Sequence, residues 1–240
     1  MMLEVKKYPA IILAGGLGTR LRTAVTDKPK PMALVNNKPF LEYLLTTLEK
    51  SNVISSCILS VGYLHEQIEA YFGNKFGSLP LRYSIETSPL GTGGAVVKTL
   101  QGINADEFIL VNGDTLFNIN YSKLIQEHLS RKADVSIAIK TLKDFNRYGT
   151  VVCQNGLVKC FEEKKQVKEG YINGGVYMFN KNILLRSHLP DVFSLENDFL
   201  RTNTDVLKIA GIDFGDYFID IGIPEDYQKA QVEFLKLFPD

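Results

Sequence analysis

Short, nearly continuous apolar runs alternate with amphipathic stretches as far as Lys140, and this alternation restricts the possible fold more than anything else in the chain. Pro9–Ala14, Cys57–Val61, Leu81–Glu86, Phe108–Val111 and Asp134–Lys140 read as strands. Runs of that kind are buried on both sides, which points to a parallel sheet held between two helical layers. The intervening segments supply the helices: Pro39 to about Ser51, His65–Phe72, Gly93–Leu100 and Tyr121–Arg131. Pro39 suits the first position of its helix and Gly73 a C-terminal cap. The expected class is α/β: a Rossmann-like mixed, mostly parallel sheet with helices on both faces.

The chain changes character after Lys140. Tyr148–Val152, Leu157–Phe161 and Ile172–Phe179 are strand-like, with a turn at Asn155-Gly156. Short helical patterns follow at Ile183–His188 and Asn197–Ile209, then an extended stretch at Asp213–Ile221. Pro224 opens a last helix through about Leu237. There is no linker, low-complexity tract or repeat, and no hexapeptide β-helix pattern. The expected organisation is a single domain, 1–240, with halves at about 1–140 and 141–240. A hydrophobic fraction of 45% supplies a core of that size.

The formal net charge is zero, so no basic excess exists to follow a nucleic-acid backbone, and no polybasic run exists to meet a membrane. The apolar run Ala10–Ala14 is too short for a signal-peptide core or a bilayer span. Cys57, Cys153 and Cys160 are odd in number and form no Cys-x-x-Cys pair, which suggests free thiols in a reducing compartment and hence a cytoplasmic location. His65, His128 and His188 stand beside no serine or cysteine in a recognisable catalytic motif and read as helix-surface or packing residues.

The strongest local signal is the string from Ala10 to Leu21, in which a buried strand runs into Gly15, Gly16, Gly18, Thr19 and Arg20. Glycines let backbone N–H groups approach phosphates, and arginine adds a planar fork of donors. A Walker loop requires Gly-Lys-Ser/Thr, whereas this loop ends Thr-Arg-Leu. A dinucleotide fingerprint requires a third glycine where Leu21 stands, and its acidic partner would be Glu42, inside a helix rather than at a strand end. A plain tight turn accounts for one or two of the three glycines. Lys28 and Lys30 follow on a proline-stiffened segment, Asp27-Lys-Pro-Lys-Pro-Met32, where little freedom is lost on meeting a phosphate.

These segments together resemble the sugar-phosphate nucleotidyltransferases, the pyrophosphorylases. The resemblance rests on Gly-Gly-x-Gly-Thr-Arg-Leu, the Lys-Pro-rich stretch and Val35-x-x-Lys-Pro39 leading a helix. Across nearly the whole chain it is nearest to the D-glycero-D-manno-heptose 1-phosphate guanylyltransferases, through Ser60-Val-Gly-Tyr63, Pro89-Leu-Gly-Thr-Gly-Gly-Ala95, Asn173-Gly-Gly-Val-Tyr177, Ser194-Leu-Glu196 and Phe218-Ile-Asp-Ile-Gly-Ile-Pro-Glu-Asp-Tyr227. It implies the nucleotide-diphospho-sugar transferase fold, with a nucleotide-binding first half and a sugar-phosphate-binding second half.

Asp114 ends a buried strand in Leu110-Val-Asn-Gly-Asp114, where a carboxylate can hold Mg²⁺. Capping of the next element is the plainer alternative. The resemblance gives it a partner, Asp220, and the pair is expected to share one Mg²⁺. Asp216 and Asp226 read as surface or capping residues. The resemblance further implies nucleotide contacts at Leu13, Ala14, Gly15, Gly16, Gly18, Thr19, Arg20, Glu86, Gly91, Thr92 and Gly94. Thr92 is equally able to cap its helix. For the sugar phosphate it implies Asn112, Gly149, Glu163, Lys164, Asn173, Gly174 and Glu196. Phe161-Glu-Glu-Lys164 carries the family's Glu-Lys motif but has Lys165 where many relatives have proline, and such a run is also an ordinary solvated surface.

The expected reaction joins a nucleoside triphosphate, GTP being favoured, to a sugar 1-phosphate, with Arg20, Lys30, Asp114, Lys164 and Asp220 carrying the catalysis. Mannose 1-phosphate or another hexose 1-phosphate is the alternative acceptor. A catalytically inactive nucleotide-sugar-binding subunit is the non-enzymatic alternative. A glycosyltransferase would carry an Asp-x-Asp, and Leu116 stands in its second position. Monomer and homodimer both remain open.

Overall fold

The computed structural model describes residues 6–16 and 28–239. In chain order the first half contains β1 (Tyr8–Leu13), the two-residue pair β2 (Leu34–Val35) and β3 (Lys38–Pro39), α1 (Phe40–Lys50), β4 (Ile54–Val61), α2 (His65–Phe72), β5 (Lys75–Phe76), β6 (Leu79–Ile85), α3 (Gly91–Thr99), β7 (Glu107–Asn112), β8 (Thr115–Phe117) and α4 (Tyr121–Arg131). The second half adds β9 (Val135–Phe145), β10 (Thr150–Gln154), β11 (Leu157–Glu162), β12 (Val167–Asn180), α5 (Lys181–Arg186), β13 (Ile209–Asp213), β14 (Phe218–Asp220) and α6 (Pro224–Leu237).

Ten strands form one sheet in the order β10-β11-β13-β9-β12-β7-β1-β4-β6-β5. The block β7-β1-β4-β6 is parallel. Beyond it β12 runs antiparallel to both β7 and β9, while β13 pairs in parallel with β9, so the sheet is mixed. In β1 the side chains alternate between two cores: Tyr8, Ala10 and Ile12 face one, Ile11 the other. The first core packs beneath α1, α4 and α6, through Leu41, Leu124 and Phe234. The second packs beneath α3 and the segment around Phe193–Leu200. Both faces are therefore covered, which is why the strands read as unbroken apolar runs.

Several boundaries differ from expectation. Pro39 is the N-cap of α1, not its first residue, because its extended backbone pairs with Leu34. The helical pattern placed over 197–209 is a π-helical turn, Leu195–Leu200, followed by a short 3-10 turn, and Ile209 already belongs to β13. That register lets Ile209–Asp213 pair in parallel with Val135–Ile139. The expected extended stretch over 213–221 holds only the last residue of β13 and the three-residue β14, in different sheets, with residues 214–217 in neither. Pro224 does open α6. Among the described residues no helix is long and apolar enough to cross a membrane, and the three cysteines are free.

Candidate active site

Parallel strands deliver their C-terminal ends to one rim, where ligands collect in open α/β sheets. Leu13 and Asn112 end β1 and β7 in register, and Val61 and Ile85 end β4 and β6 in register. A cleft opens there with two chambers. The first, about 590 Å³, is lined by Leu13, Gly15, Gly16, Lys30, Glu86, Gly91 and Thr92 among others. The second, about 420 Å³, is lined by residues that include Arg147, Gly149, Lys164, Asn173, Glu196 and Asp220. Asn112 and Asp114 line both chambers and mark their junction.

Three charged side chains meet at that junction. The Lys30 ammonium pairs with Asp114 Oδ2 and lies 3.9 Å from Asp220 Oδ1. Lys30 opens a 3-10 turn between Pro29 and Pro31, which stiffens its backbone. Asp114 follows Gly113, whose N–H donates to the Leu13 carbonyl at 2.9 Å; a Cβ at Gly113 would sit 2.5 Å from that oxygen. Only glycine allows β1 and β7 to close to this distance just before the carboxylate. Asp220 arrives from the other end of the chain because β14 pairs antiparallel with β8, setting Asp220 opposite Thr115. The Gly222 N–H donates to Asp220 Oδ1 at 2.6 Å, and the Thr115 hydroxyl donates to Asp114 Oδ1 at 3.2 Å. Burial, then the charge of Asp114, raises the pKa of the Asp220 carboxyl, and Lys30 only partly opposes them. Two carboxylates at this spacing favour a cation between them, and the ammonium already occupies such a position. Among the described residues no three or more potential metal-ligating side chains gather. Two oxygen donors with room for further oxygens suit a hard divalent cation.

In the second chamber the Asn173 amide donates to the Tyr177 hydroxyl at 2.6 Å and to Glu196 Oε2 at 3.3 Å, and its oxygen accepts from the Gly175 N–H at 3.0 Å. All three of those bonds are internal, so Asn173 orients Glu196 rather than standing free for a ligand. Burial raises the pKa of the Glu196 carboxyl, while Asn173, Arg201 and Lys164 pull it down. The π-helical turn that carries Glu196 is a local irregularity of the kind found at functional sites.

Most of the residues named from sequence line the cleft, but several do not. Glu163 turns outward and pairs with Arg201, leaving its side chain 80% exposed; Lys164, beside it, does line the second chamber. Gly174 packs against Phe117 and the Ala138 carbonyl, and Gly175 takes its place in the lining. Gly94 packs against the Asp191 carbonyl, and Gly91, with φ of 70°, sits against that of Phe193. The glycines of Gly91-Thr-Gly-Gly94 thus let α3 dock on the chain around Asp191–Phe193. Thr92 does not cap its own helix; its hydroxyl accepts the Leu195 N–H at 2.9 Å. Ala14, buried, donates its N–H to the Ser60 carbonyl at 2.7 Å. Gly18, Thr19 and Arg20 lie outside the described residues. Asp226, read from sequence as a surface or capping residue, lines the second chamber and pairs with Arg147. Asp216 is exposed, as expected. Arg147, Tyr148 and Asp226 had no sequence signal except their closeness to Gly149 and Asp220.

The chain as a whole has clear counterparts among known proteins. The sequence profile of the nucleotidyl transferase family matches residues 9–236. The chain is 49% identical to D-glycero-alpha-D-manno-heptose 1-phosphate guanylyltransferase of Aneurinibacillus thermoaerophilus, over 93% of this chain and 97% of that protein. It is 48% identical to the Campylobacter jejuni protein of the same name, over 91% and 96%. The crystal structure of HddC from Yersinia pseudotuberculosis complexed with GMP-PN superposes with a TM-score of 0.84 at 37% identity, over 95% of this chain and 99% of that one. A family match across nearly the whole chain means that this chain belongs to the nucleotidyl transferase family.

Proposed function

We propose that this protein transfers a guanylyl group from GTP to D-glycero-α-D-manno-heptose 1-phosphate, forming the GDP-sugar and pyrophosphate with Mg²⁺. The observation that carries the reading is the junction itself: Asp114, Asp220 and Lys30 stand where two chambers meet, between a glycine-lined space and a space holding Lys164. The choice of base and sugar follows the two relatives that share nearly half their residues with this chain.

The reaction we infer is in-line displacement at the α-phosphorus. An oxygen of the sugar phosphate forms the new P–O bond, and the bond to the β-phosphate oxygen breaks, its electron pair leaving with pyrophosphate. A phosphomonoester with a second pKa near 6 is already largely deprotonated at neutral pH, so no general base is required. The remaining work is alignment and charge neutralisation. The nucleotide occupies the first chamber, with the base toward Glu86, Gly91 and Thr92 and the phosphates along Gly15 and Gly16. Lys30 draws charge from the triphosphate, and Lys164 brings in the second anion. Asn173 holds Glu196 toward the sugar, with Asn112 and Gly149 completing that wall. Asp114 and Asp220 would hold Mg²⁺, which supplies charge neutralisation at the reacting phosphates.

The test is pyrophosphate release, crossing GTP, ATP, CTP and UTP against heptose, mannose and glucose 1-phosphates, with Mg²⁺ and with chelator. The expected signal comes from GTP with the heptose phosphate and disappears with chelator. A stronger signal from another pair would replace the assigned substrates. Silence across every pair from a folded sample would reject the enzymatic reading.

A further inference from the structure

Among the described residues six charged side chains line the second chamber: Asp114, Glu196, Asp220 and Asp226 against Lys164 and Arg147. A phosphomonoester brings a further charge of about −1.5 to −2. The Lys30 ammonium at the junction is already engaged by the acid pair, and Lys164 alone is a single flexible point charge. Arg147 lies in the turn between β9 and β10, and its guanidinium is held on one side only. Nη2 donates to Asp226 in the first turn of α6 and to the Tyr148 hydroxyl at 3.1 Å, and the guanidinium carbon lies 5.5 Å from the Tyr148 ring centroid. Among the described residues Nε and Nη1 have no hydrogen-bond partner. The exposures of the pair decide its sense. The Asp226 side chain is 20% exposed and that of Arg147 is 41%. The carboxylate is the sheltered anchor and the guanidinium is the group presented to the chamber.

We infer that Arg147 is a phosphate contact for the sugar phosphate, with Asp226 and Tyr148 as the residues that position it. The inference rests on the reading that the second chamber receives the sugar phosphate. A guanidinium held through Nη2 loses little freedom on binding, and its unpaired Nε–H and Nη1–H groups remain as donors for phosphate oxygens. The same chemistry would suit departing pyrophosphate, and the two ligands are separable by direction of assay.

The experiment uses the whole chain carrying Arg147→Ala, Arg147→Lys or Asp226→Asn. It measures kcat/KM for sugar phosphate and for GTP forward, the KM for pyrophosphate in reverse, and the melting temperature. Arg147→Ala is expected to lower kcat/KM for the sugar phosphate by about tenfold to a hundredfold. The KM values for GTP and pyrophosphate should stay within about twofold of wild type. Added guanidinium ion should recover part of the loss in Arg147→Ala, and Asp226→Asn should show a smaller loss of the same kind. A folded Arg147→Ala with wild-type kinetics and a lowered melting temperature would make the pair a mere strut and overturn the inference, as would a change confined to pyrophosphate. If Arg147→Ala does not fold, the same comparison in Arg147→Lys and Asp226→Asn decides. Wild-type protein without turnover would sink the chamber assignment as well, whereas an active wild type matched by its variants would sink the Arg147 assignment alone.

Discussion

The residues at the junction owe their chemistry to mutual placement rather than to type. Asp114 and Asp220 are ordinary carboxylates until β14 sets them around the Lys30 ammonium. Replacing Lys30 with Ala, or Asp114 with Asn, removes one of the three charges that the proposed mechanism sets against the same phosphates. Each change should lower kcat on the order of a hundredfold or more, as measured by pyrophosphate release. Because Asp114 is 37% exposed, the Asn variant should keep its melting temperature close to wild type. An Asp114→Asn protein with near wild-type turnover would remove that carboxylate from the mechanism. Asp114 and Lys30 were both legible in the sequence, one from its strand end and the other from its prolines. Asn173 was legible as a position but not in its task, since its three bonds to Tyr177, Glu196 and Gly175 arise only on folding.

At the scale of elements, the same glycine can serve a ligand or a neighbouring backbone, and the distinction is invisible in one dimension. Gly91-Thr-Gly-Gly94 reads as a ligand-facing loop, yet its backbone is bonded to Phe193, whose N–H donates to the Leu90 carbonyl at 3.1 Å and whose carbonyl accepts the Gly93 N–H at 2.9 Å. The helix α3 is thereby fixed to the segment that leads into Glu196. Gly94→Ala would push a methyl group into the Asp191 carbonyl. It should destabilise the protein by about 1–3 kcal/mol through overpacking and raise the KM for the sugar phosphate more than that for GTP. Denaturant unfolding and steady-state kinetics check both parts; a variant with unaltered stability and a raised KM for GTP alone would restore the ligand-facing role.

For the molecule as a whole, a buried histidine links folding to pH. His128 on α4 is 1% exposed, with Nδ1 2.9 Å from the Ser136 hydroxyl on β9. Burial lowers its pKa from 6.5 to about 4, with Asp134 opposing. The unfolded chain therefore takes up a proton at a higher pH than the folded one does. Stability is full above about pH 6.5 and falls as pH drops toward 4, by about 3 kcal/mol at most from this group. Denaturation midpoints of wild type and His128→Gln at pH 7.5 and pH 5 test this. The wild type should lose more stability than the variant across that interval, and equal losses would acquit the histidine.

The parallel block β7-β1-β4-β6, the helices over His65–Phe72 and Tyr121–Arg131, and the proline start of α6 follow from local patterning, because apolar period, caps and prolines act within a few residues of one another. The family resemblance was equally local, carried by short strings whose order could be read directly. Tertiary structure decided what depends on contacts between distant segments. The pairing of β14 with β8 brought Asp220 to Asp114, and the antiparallel insertion of β12 between β7 and β9 made the sheet mixed. The outward turn of Glu163 toward Arg201 and the inward presentation of Arg147 by Asp226 belong to the same class. These two side-chain orientations depend on electrostatic partners at least 38 positions away, and side-chain direction has no expression in sequence until that partner is in place.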